Sequence, residues 1–111
     1  MDKVNTILTA CGCPGIVGTI YSLIHNNDGR KFYFIGTDIR SENCGRYLVD
    51  KFYNVPRPSQ TSFIDKFLSI TESEKAKIII PQATAELEEF SKNRQKFEEL
   101  GCKVISPDFQ T

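Results

Sequence analysis

The chain has 111 residues, and its 14 lysines and arginines balance 14 aspartates and glutamates, so the formal net charge is zero. A chain of this length fits one domain and buries about two-thirds of its unfolded surface. The balanced charge disfavours a broad electrostatic surface for nucleic acid or anionic membrane. No stretch approaches the ~20 apolar residues of a membrane-spanning helix, and the N-terminus lacks a signal-peptide pattern. The sequence therefore predicts a cytoplasmic protein without a nucleic-acid or membrane partner.

Four cysteines and one histidine limit the covalent and metal chemistry that the chain can perform. Cys11 and Cys13 form a C-x-C pair rather than the C-x-x-C of zinc ribbons and redox motifs, and His25 is the only histidine. This spacing, with Cys44 and Cys102 elsewhere in the chain, predicts that the four cysteines are free thiols. It also predicts that the chain has no metal site and no catalytic residue. Cys13 is a separate case, because a helix N-terminus can activate a nearby thiol.

The first half of the chain alternates strand and helix signals. A short apolar run at residues 6–10 predicts a strand, and apolar residues at helical spacing predict a helix over 16–24. The run KFYFIGTD, which begins at residue 31, predicts a second strand that ends at Gly36. A loop and a short helical turn at 46–50 follow it.

The second half continues this alternation. Residues 61–73 predict a helix, and Thr84 is the expected N-cap of one further helix. The apolar stripe of that last helix consists of Leu87, Phe90, Phe97 and Leu100. Gly101 stands where a left-handed C-terminal cap belongs. The remaining strands are predicted at residues 51–56, 77–81 and 103–106.

Strands and helices in this order predict an α/β fold. Continuous apolar strands are typical of a parallel sheet that is buried on both faces, and right-handed crossovers place helices on those faces. We therefore expect a Rossmann-like open parallel sheet of about five strands. No repeat, low-complexity tract or linker is visible, so residues 1–111 are expected to form a single domain.

Three glycines occupy the turn between the first strand and the first helix, which is the usual ligand contact of an open parallel sheet. Gly12, Gly15 and Gly18 form G-x-x-G-x-x-G rather than the dinucleotide pattern G-x-G-x-x-G, and Pro14 removes one backbone donor. A phosphate-binding P-loop is disfavoured because the glycine–lysine pair is missing. The bare backbone could contact an anion, together with Cys13, or could let the helix pack close to the sheet.

Polar residues near the predicted strand ends complete the candidate site. Asp38 lies at the end of the second strand, at the spacing expected of a ribose-binding acid. Thr84 and Glu86 follow the strand that ends in IIIPQ, which places them at the ligand edge, although the glutamates of this helix otherwise favour a solvated face. Arg46 lies near the same edge, as a ligand contact or as a salt-bridge residue.

Three blocks of sequence carry a resemblance that covers nearly the whole chain. They are ILTACGCPGIVGTIYSL, FIGTDIRSENCGRYLVDKFYNVP and IIIPQATAELEEFSKNRQKFEELGCKVISPD. Together they resemble the pre-ATP-grasp domain, the N-terminal domain of ATP-grasp enzymes, and in particular proteins similar to the carbamoyl-phosphate synthase large subunit. In such enzymes this Rossmann-like domain precedes two lobes that hold ATP and magnesium and activate a carboxylate as an acyl phosphate.

The resemblance implies one part of an ATP-dependent ligase that joins a carboxylate to an amine or ammonia. This part is expected to be inactive alone, to pack against the ATP-grasp lobes and to shape the substrate side of the site. The family's lysines and acidic residues for ATP and magnesium lie beyond Thr111, so both cofactors are expected only in the full-length enzyme. The glycine loop, Asp38, Arg46, Thr84 and Glu86 correspond to positions along the cleft edge, as contacts to a small-molecule substrate.

Two alternatives from other classes stay open. A free-standing sensor domain would bind NAD, AMP or ATP through the glycine loop and Asp38. An interaction module would present an exposed apolar surface to a partner, or would form a homodimer through it.

Overall fold

A computed structural model describes residues 3–12, 15–25 and 29–105. Within these residues the centre of the fold is a sheet of five parallel strands in the order β3-β2-β1-β4-β5. The strands are β1 (Val4–Leu8), β2 (Phe32–Asp38), β3 (Lys51–Asn54), β4 (Ile78–Ile80) and β5 (Lys103–Val104). The predicted α/β, Rossmann-like class is confirmed.

Four α-helices and one 3₁₀ turn lie between the strands in the described part of the chain. They are α1 (Ile16–Ile24), the 3₁₀ turn (Cys44–Tyr47), α2 (Ser62–Glu74), α3 (Thr84–Lys92) and α4 (Arg94–Glu99). Crossover connections of this kind are what parallel neighbours require.

The central strand β1 sets the position of the ligand edge. It pairs with β2 on one side and with β4 on the other, and Ile7 and Leu8 are fully buried. Burial on both faces explains why a short apolar run without alternation forms a strand. Because β2 and β3 extend to one side while β4 and β5 extend to the other, the strand order reverses beside the carboxyl end of β1.

Alternating side chains divide the core between the two faces of the sheet. Ile7, Ile35 and Ile79 pack with helices α2, α3 and α4. Four fully buried aromatic rings from these helices form what we call the phenylalanine core: Phe63, Phe67, Phe90 and Phe97. The α1 cluster, on the opposite face, consists of Leu8, Cys11, Ile16 and Phe34.

Two element boundaries differ from the prediction for local reasons. β1 ends at Leu8 rather than at residue 10, because Ala10 has a left-handed φ of 48° that cannot continue a strand. The single helix predicted after β4 is two helices, divided at Asn93, where φ is −111° and ψ is 15°. The Asn93 Nδ2 donates to the Glu89 carbonyl at 2.8 Å, a local bond that competes with the helical ladder.

Of the two caps predicted for the last helix, only the C-terminal one is correct. Ala83, not Thr84, is the N-cap of α3, with an extended backbone, and Thr84 is the first helical residue. Leu100, predicted to be part of the apolar stripe, follows α4 and is 40% exposed. Gly101 has the predicted left-handed conformation, with a φ of 81°.

The remaining connections also show small shifts. The helical turn predicted at 46–50 is the 3₁₀ turn that begins at Cys44, because Asn43 Oδ1 accepts the Arg46 backbone N–H at 2.9 Å and caps it. The last predicted strand reached Ser106, which lies outside the described residues. No helix in residues 3–12, 15–25 or 29–105 has the length and apolar character to span a bilayer.

Candidate functional site

A cleft of about 520 Å³ opens at the carboxyl edge of the sheet, where open parallel sheets bind ligands. This volume lies within the range of small-molecule sites, about 300–1,000 Å³. The segments that follow β1, β2, β3 and β4 all contribute to its wall. The lining residues are Ala10, Asp38, Ile39, Arg40, Arg57, Pro58, Ala83, Ala85 and Glu86. The topology therefore brings four strand ends to one concave surface.

Asp38 is a buried acid that joins β2 to the glycine loop. Its side chain is 5% exposed. Its Oδ2 accepts the Gly12 backbone N–H at 2.9 Å, and its Oδ1 accepts the Arg40 backbone N–H at 2.9 Å. The Arg40 Nε lies 3.7 Å from the same Oδ1. The carboxylate thus holds the turn after β1 against the turn after β2, and its role toward a ribose stays a prediction.

Glu86 is the second buried acid of the cleft and is 4% exposed. Its Oε1 accepts the Thr9 hydroxyl at 2.5 Å, and its carboxyl group also accepts the backbone N–H of Ala83, the N-cap of α3. A glutamate that returns to the N-cap amide in this way is half of a capping box. Burial raises the pKa of Glu86, and the nearby Asp38 carboxylate adds to the rise. Glu86 therefore differs from the other glutamates of this helix, for which a solvated face is predicted.

Thr9 links Glu86 to the rest of the carboxyl edge. Its hydroxyl accepts the Gln82 backbone N–H at 2.9 Å, and its carbonyl accepts the Gln82 side-chain Nε2 at 2.8 Å. The Thr19 hydroxyl of α1 donates to Gln82 Oε1 at 2.8 Å. These bonds tie together the ends of β1 and β4 and the helices α1 and α3. The wall of the cleft is therefore fixed by side-chain hydrogen bonds.

Two observations favour a ligand that carries an anionic group, and a third, the backbone of Ala10, is typical of a functional site. The guanidinium groups of Arg40 and Arg57 border the cleft, and Arg57 makes no ion pair with any described residue. At the N-terminus of α3, the Ala85 backbone N–H has no acceptor among the described residues. Ala10 is held at a positive φ of 48°, a conformation that clusters at binding and catalytic sites when the residue is not glycine.

The three glycines of the loop have different surroundings. A Cβ at Gly12 would lie 2.9 Å from both Asn43 Cβ and Asp38 Oδ2, so only glycine fits there. No atom lies within 4 Å of a Cβ placed at Gly15 or Gly18. Close packing of the helix on the sheet is thus the wrong interpretation for these two glycines. Cys13, in the same loop, lies outside the described residues.

Thr84 and Arg46 lie outside the cleft. Thr84 lines a separate concavity along α3. Arg46 donates to the Ser41 carbonyl, lies 3.5 Å from Glu42 and stacks over the Phe52 ring at 4.8 Å. Arg46 therefore makes the salt bridge that was one of its two predicted roles, while contact with a ligand stays a prediction.

The family model described as PylC-like, N-terminal domain matches residues 6–105 of this chain. The chain belongs to this family. The PylC-like N-terminal domain is a pre-ATP-grasp-type domain of ATP-grasp enzymes, so the resemblance seen in the sequence is confirmed at the level of domain type. No curated protein matches the chain.

Four polar residues of this PylC-like N-terminal domain were missed from the sequence. Arg40 and Arg57 border the cleft, and Thr9 and Gln82 support Glu86. Each of them follows one of the first four strands within a few residues. Their position directly after a predicted strand is the signal that could have found them, because ligands collect at the carboxyl ends of parallel strands. The prediction used this rule only after the second and fourth strands.

The three thiols within the described residues, those of Cys11, Cys44 and Cys102, do not line the cleft. Cys44 and Cys102 are free thiols, as predicted, and burial raises the pKa of Cys102 to about 12. Among the described residues, no group of three histidine, cysteine, aspartate or glutamate side chains is arranged to hold a metal ion. The cleft instead combines arginines, buried carboxyl groups and the Ala85 backbone N–H, which has no acceptor among the described residues, and such groups bind and orient a ligand.

Proposed function

We propose that this domain forms the substrate-side wall of an ATP-dependent ligase that resembles the carbamoyl-phosphate synthase large subunit. The ligase activates a carboxylate as an acyl phosphate and transfers the acyl group to an amine or ammonia. ATP and magnesium are held by ATP-grasp lobes of the same enzyme, which pack against this domain. The domain supplies contacts to the substrate and is inactive alone. Membership of a pre-ATP-grasp-type family supports this proposal.

The observation that carries the proposal is the presence of basic and acidic side chains in one cleft. Arg40 and Arg57 border it, and their planar guanidinium groups match carboxylate or phosphate oxygens. Asp38 and Glu86 line the same cleft and are groups that attract an amine or ammonium. A ligand or reactant pair with both an anionic and an amine group is complementary to this arrangement.

The predicted site residues divide into two sets under this proposal. Asp38 and Glu86 line the cleft and are proposed to contact the substrate directly. Gly15 and Gly18 border open space, and Thr84 and Arg46 lie on neighbouring surfaces. We assign those surfaces to contact with the ATP-grasp lobes.

The proposal is tested by NMR titration of the ¹⁵N-labelled chain. Glycine, methylamine and acetate serve as probes of the cleft, and magnesium–ATP serves as the probe of nucleotide binding. We expect the probes with an amine or carboxylate to shift the amide signals of Ala10, Arg57 and Ala85, and we expect magnesium–ATP to leave them unchanged. Glu86→Gln should weaken the methylamine shifts, and Glu88→Gln, an exposed position on the same helix, is the matched control.

The activity arm of the test measures ADP release. The chain alone should release none, and addition of ATP-grasp lobes should produce release that depends on the carboxylate substrate. Turnover of ATP by the chain alone, or shifts at the cleft with magnesium–ATP only, would contradict the proposal.

A free-standing nucleotide sensor is the second candidate, and the strand order favours it. The order β3-β2-β1-β4-β5 is that of dinucleotide-binding sheets, which bind their ligand beside β1. A nucleotide at about 100 times its dissociation constant stabilises its protein by ~2.7 kcal/mol. A thermal shift of that size with NAD, AMP or ATP, lost in Asp38→Asn, would favour the sensor over the ligase domain.

A further inference from the structure

The amino edge of the sheet carries a second concavity that the proposed function does not use. We call it the amino-edge groove, and its apolar floor consists of Ile20, Ile24, Phe32, Phe34 and Leu48. Its volume is about 390 Å³, which is also within the range of small-molecule sites. It lies where β1 and β2 begin, whereas the cleft lies where they end. A ligand in one concavity therefore leaves the other accessible.

The floor of the groove exposes apolar surface at a defined place. The Phe32 and Phe34 rings stack with their centroids 5.9 Å apart and an interplanar angle of 10°. Ile24 and Leu48, also in the floor, are 56% and 48% exposed. An aliphatic or aromatic body seated there would remove this surface from water, which is the dominant favourable term in association.

The rim of the groove is positively charged in a chain whose formal net charge is zero. Among the described residues, its lining contains Lys3, Arg30 and Lys31 and one carboxylate, that of Asp50. The Asp50 Oδ2 already accepts the Phe34 backbone N–H at 2.8 Å. Neither Lys3 nor Lys31 makes an ion pair with a described residue.

The two lysines are held next to each other by the sheet. The Val4 backbone N–H donates to the Lys31 carbonyl at 2.8 Å, so the chain enters β1 and β2 side by side. Two lysines that make no ion pair with a described residue therefore line the groove beside one apolar floor. An anionic head group attached to an apolar body is complementary to both parts.

We propose that the amino-edge groove binds a small amphiphilic anion, with its apolar body on the Phe32–Phe34 floor and its carboxylate or phosphate between Lys3 and Lys31. The confined volume favours a single molecule over an extended partner surface. This site is independent of the ligase proposal, because it shares no lining residue with the cleft.

The test uses decanoate, below its micelle concentration, as the probe for the ¹⁵N-labelled chain. We expect shifts at the amides of Ile24, Leu48 and residues 29–32, and no shifts at Ala10 or Ala85 in the cleft. Decyltrimethylammonium has the same alkyl chain with the opposite charge, and we expect it to bind at least about tenfold more weakly.

Two double variants distinguish the effect of the groove lysines on binding from the effect of the overall charge of the chain. Lys3→Ala combined with Lys31→Ala should weaken decanoate binding about tenfold. Lys66→Ala combined with Lys96→Ala removes the same charge from exposed positions on α2 and α4 and should leave binding unchanged. Thermal unfolding of both variants checks that each remains folded.

Three outcomes would overturn the proposal. The first is equal binding of decanoate and decyltrimethylammonium, and the second is equal weakening by the two double variants. The third is cosedimentation of the chain with phosphatidylserine vesicles in the absence of decanoate binding, which would assign the groove to a membrane surface.

Discussion

The two faces of the sheet differ in how completely their apolar side chains are buried. In the phenylalanine core, four fully buried rings pack with neighbouring centroids between 4.9 and 5.6 Å apart. On the opposite face, Ile16 is the buried residue of α1, while Val17, Tyr21 and Ile24 of the same helix are more than half exposed. Folding stability therefore resides mainly on the side of α2, α3 and α4. The α1 side is the one with apolar surface available for contacts.

The largest effect is expected when the loss of one buried aromatic ring is compared with the loss of one exposed ring. Phe67→Ala should lower the free energy of unfolding by about 3–5 kcal/mol, because it leaves a cavity among packed aromatic side chains. Tyr21→Ala on α1, where the side chain is 62% exposed, should change it by less than about 0.5 kcal/mol. Urea denaturation of both variants measures the difference. Equal losses would mean that the two faces contribute equally.

A second test asks how tightly the α1 side is packed near the carboxyl edge. A Cβ at Gly45 would lie 1.5 Å from the Cys11 carbonyl oxygen, so the backbone must move. We expect Gly45→Ala to destabilise the fold by about 1–3 kcal/mol or more. Gly18→Ala is the matched control, since no atom lies within 4 Å of its Cβ and alanine favours the helix by about 0.5–1 kcal/mol. The same unfolding assay should show opposite signs, and a common sign would break the comparison.

The fold was predictable because its signals are local. Continuous apolar runs such as Lys77–Pro81 predict a buried parallel strand, and Gly101 marks the end of the last helix through its left-handed backbone. Asn93 divides the predicted helix because its side chain bonds to the Glu89 carbonyl, and apolar periodicity does not report such a bond. Ala10 has no sequence signal at all for its positive φ.

The candidate site was predictable only in part because its contacts join distant segments. The rule that ligands collect at strand ends leads to Asp38 and Glu86, and both line the cleft. The burial of Glu86, on α3, depends on its contact with Thr9, in the segment that follows β1. Gly45 has no pattern around it, since its need for glycine arises from the Cys11 carbonyl. Tertiary packing decides these positions, and a single sequence does not contain it.

A third test compares the two edges of the sheet. Ala10 at the carboxyl edge and Lys75, the C-cap of α2 at the amino edge, have φ values of 48° and 54°. Left-handed backbone is costly for both residue types, so replacement by glycine should stabilise the fold by about 0.5–1 kcal/mol at each position. Urea midpoints measure both effects. A gain at Lys75→Gly without one at Ala10→Gly would mean that the contacts of the cleft already support the Ala10 conformation.

The smallest expected effect is a pH dependence that originates in the cleft. Because burial raises the pKa of Glu86 in the folded chain, the folded state holds this proton more tightly than the unfolded state does. The contribution of Glu86 to stability is therefore complete below its ordinary pKa of 4.5 and is lost as the pH rises through the higher, folded pKa. Glu86→Gln stays neutral, so its stability relative to the unmodified chain should increase as the pH rises above 4.5.

The Glu86→Gln comparison isolates the cleft from a second titrating group. Lys51 and Tyr53 lower the pKa of Glu74, which adds stability above pH 4.5 and acts in the opposite direction. Glu74 is present in both chains, so its effect cancels in the difference between their unfolding curves. Glu88→Gln, whose carboxylate is 71% exposed, should give a curve parallel to that of the unmodified chain. If the stability curve of Glu86→Gln is also parallel to that of the unmodified chain, the hydrogen bonds from Thr9 and Ala83 fully offset the effect of burial on the Glu86 carboxyl group. Glu86 would then be a capping residue and not a group that binds an amine.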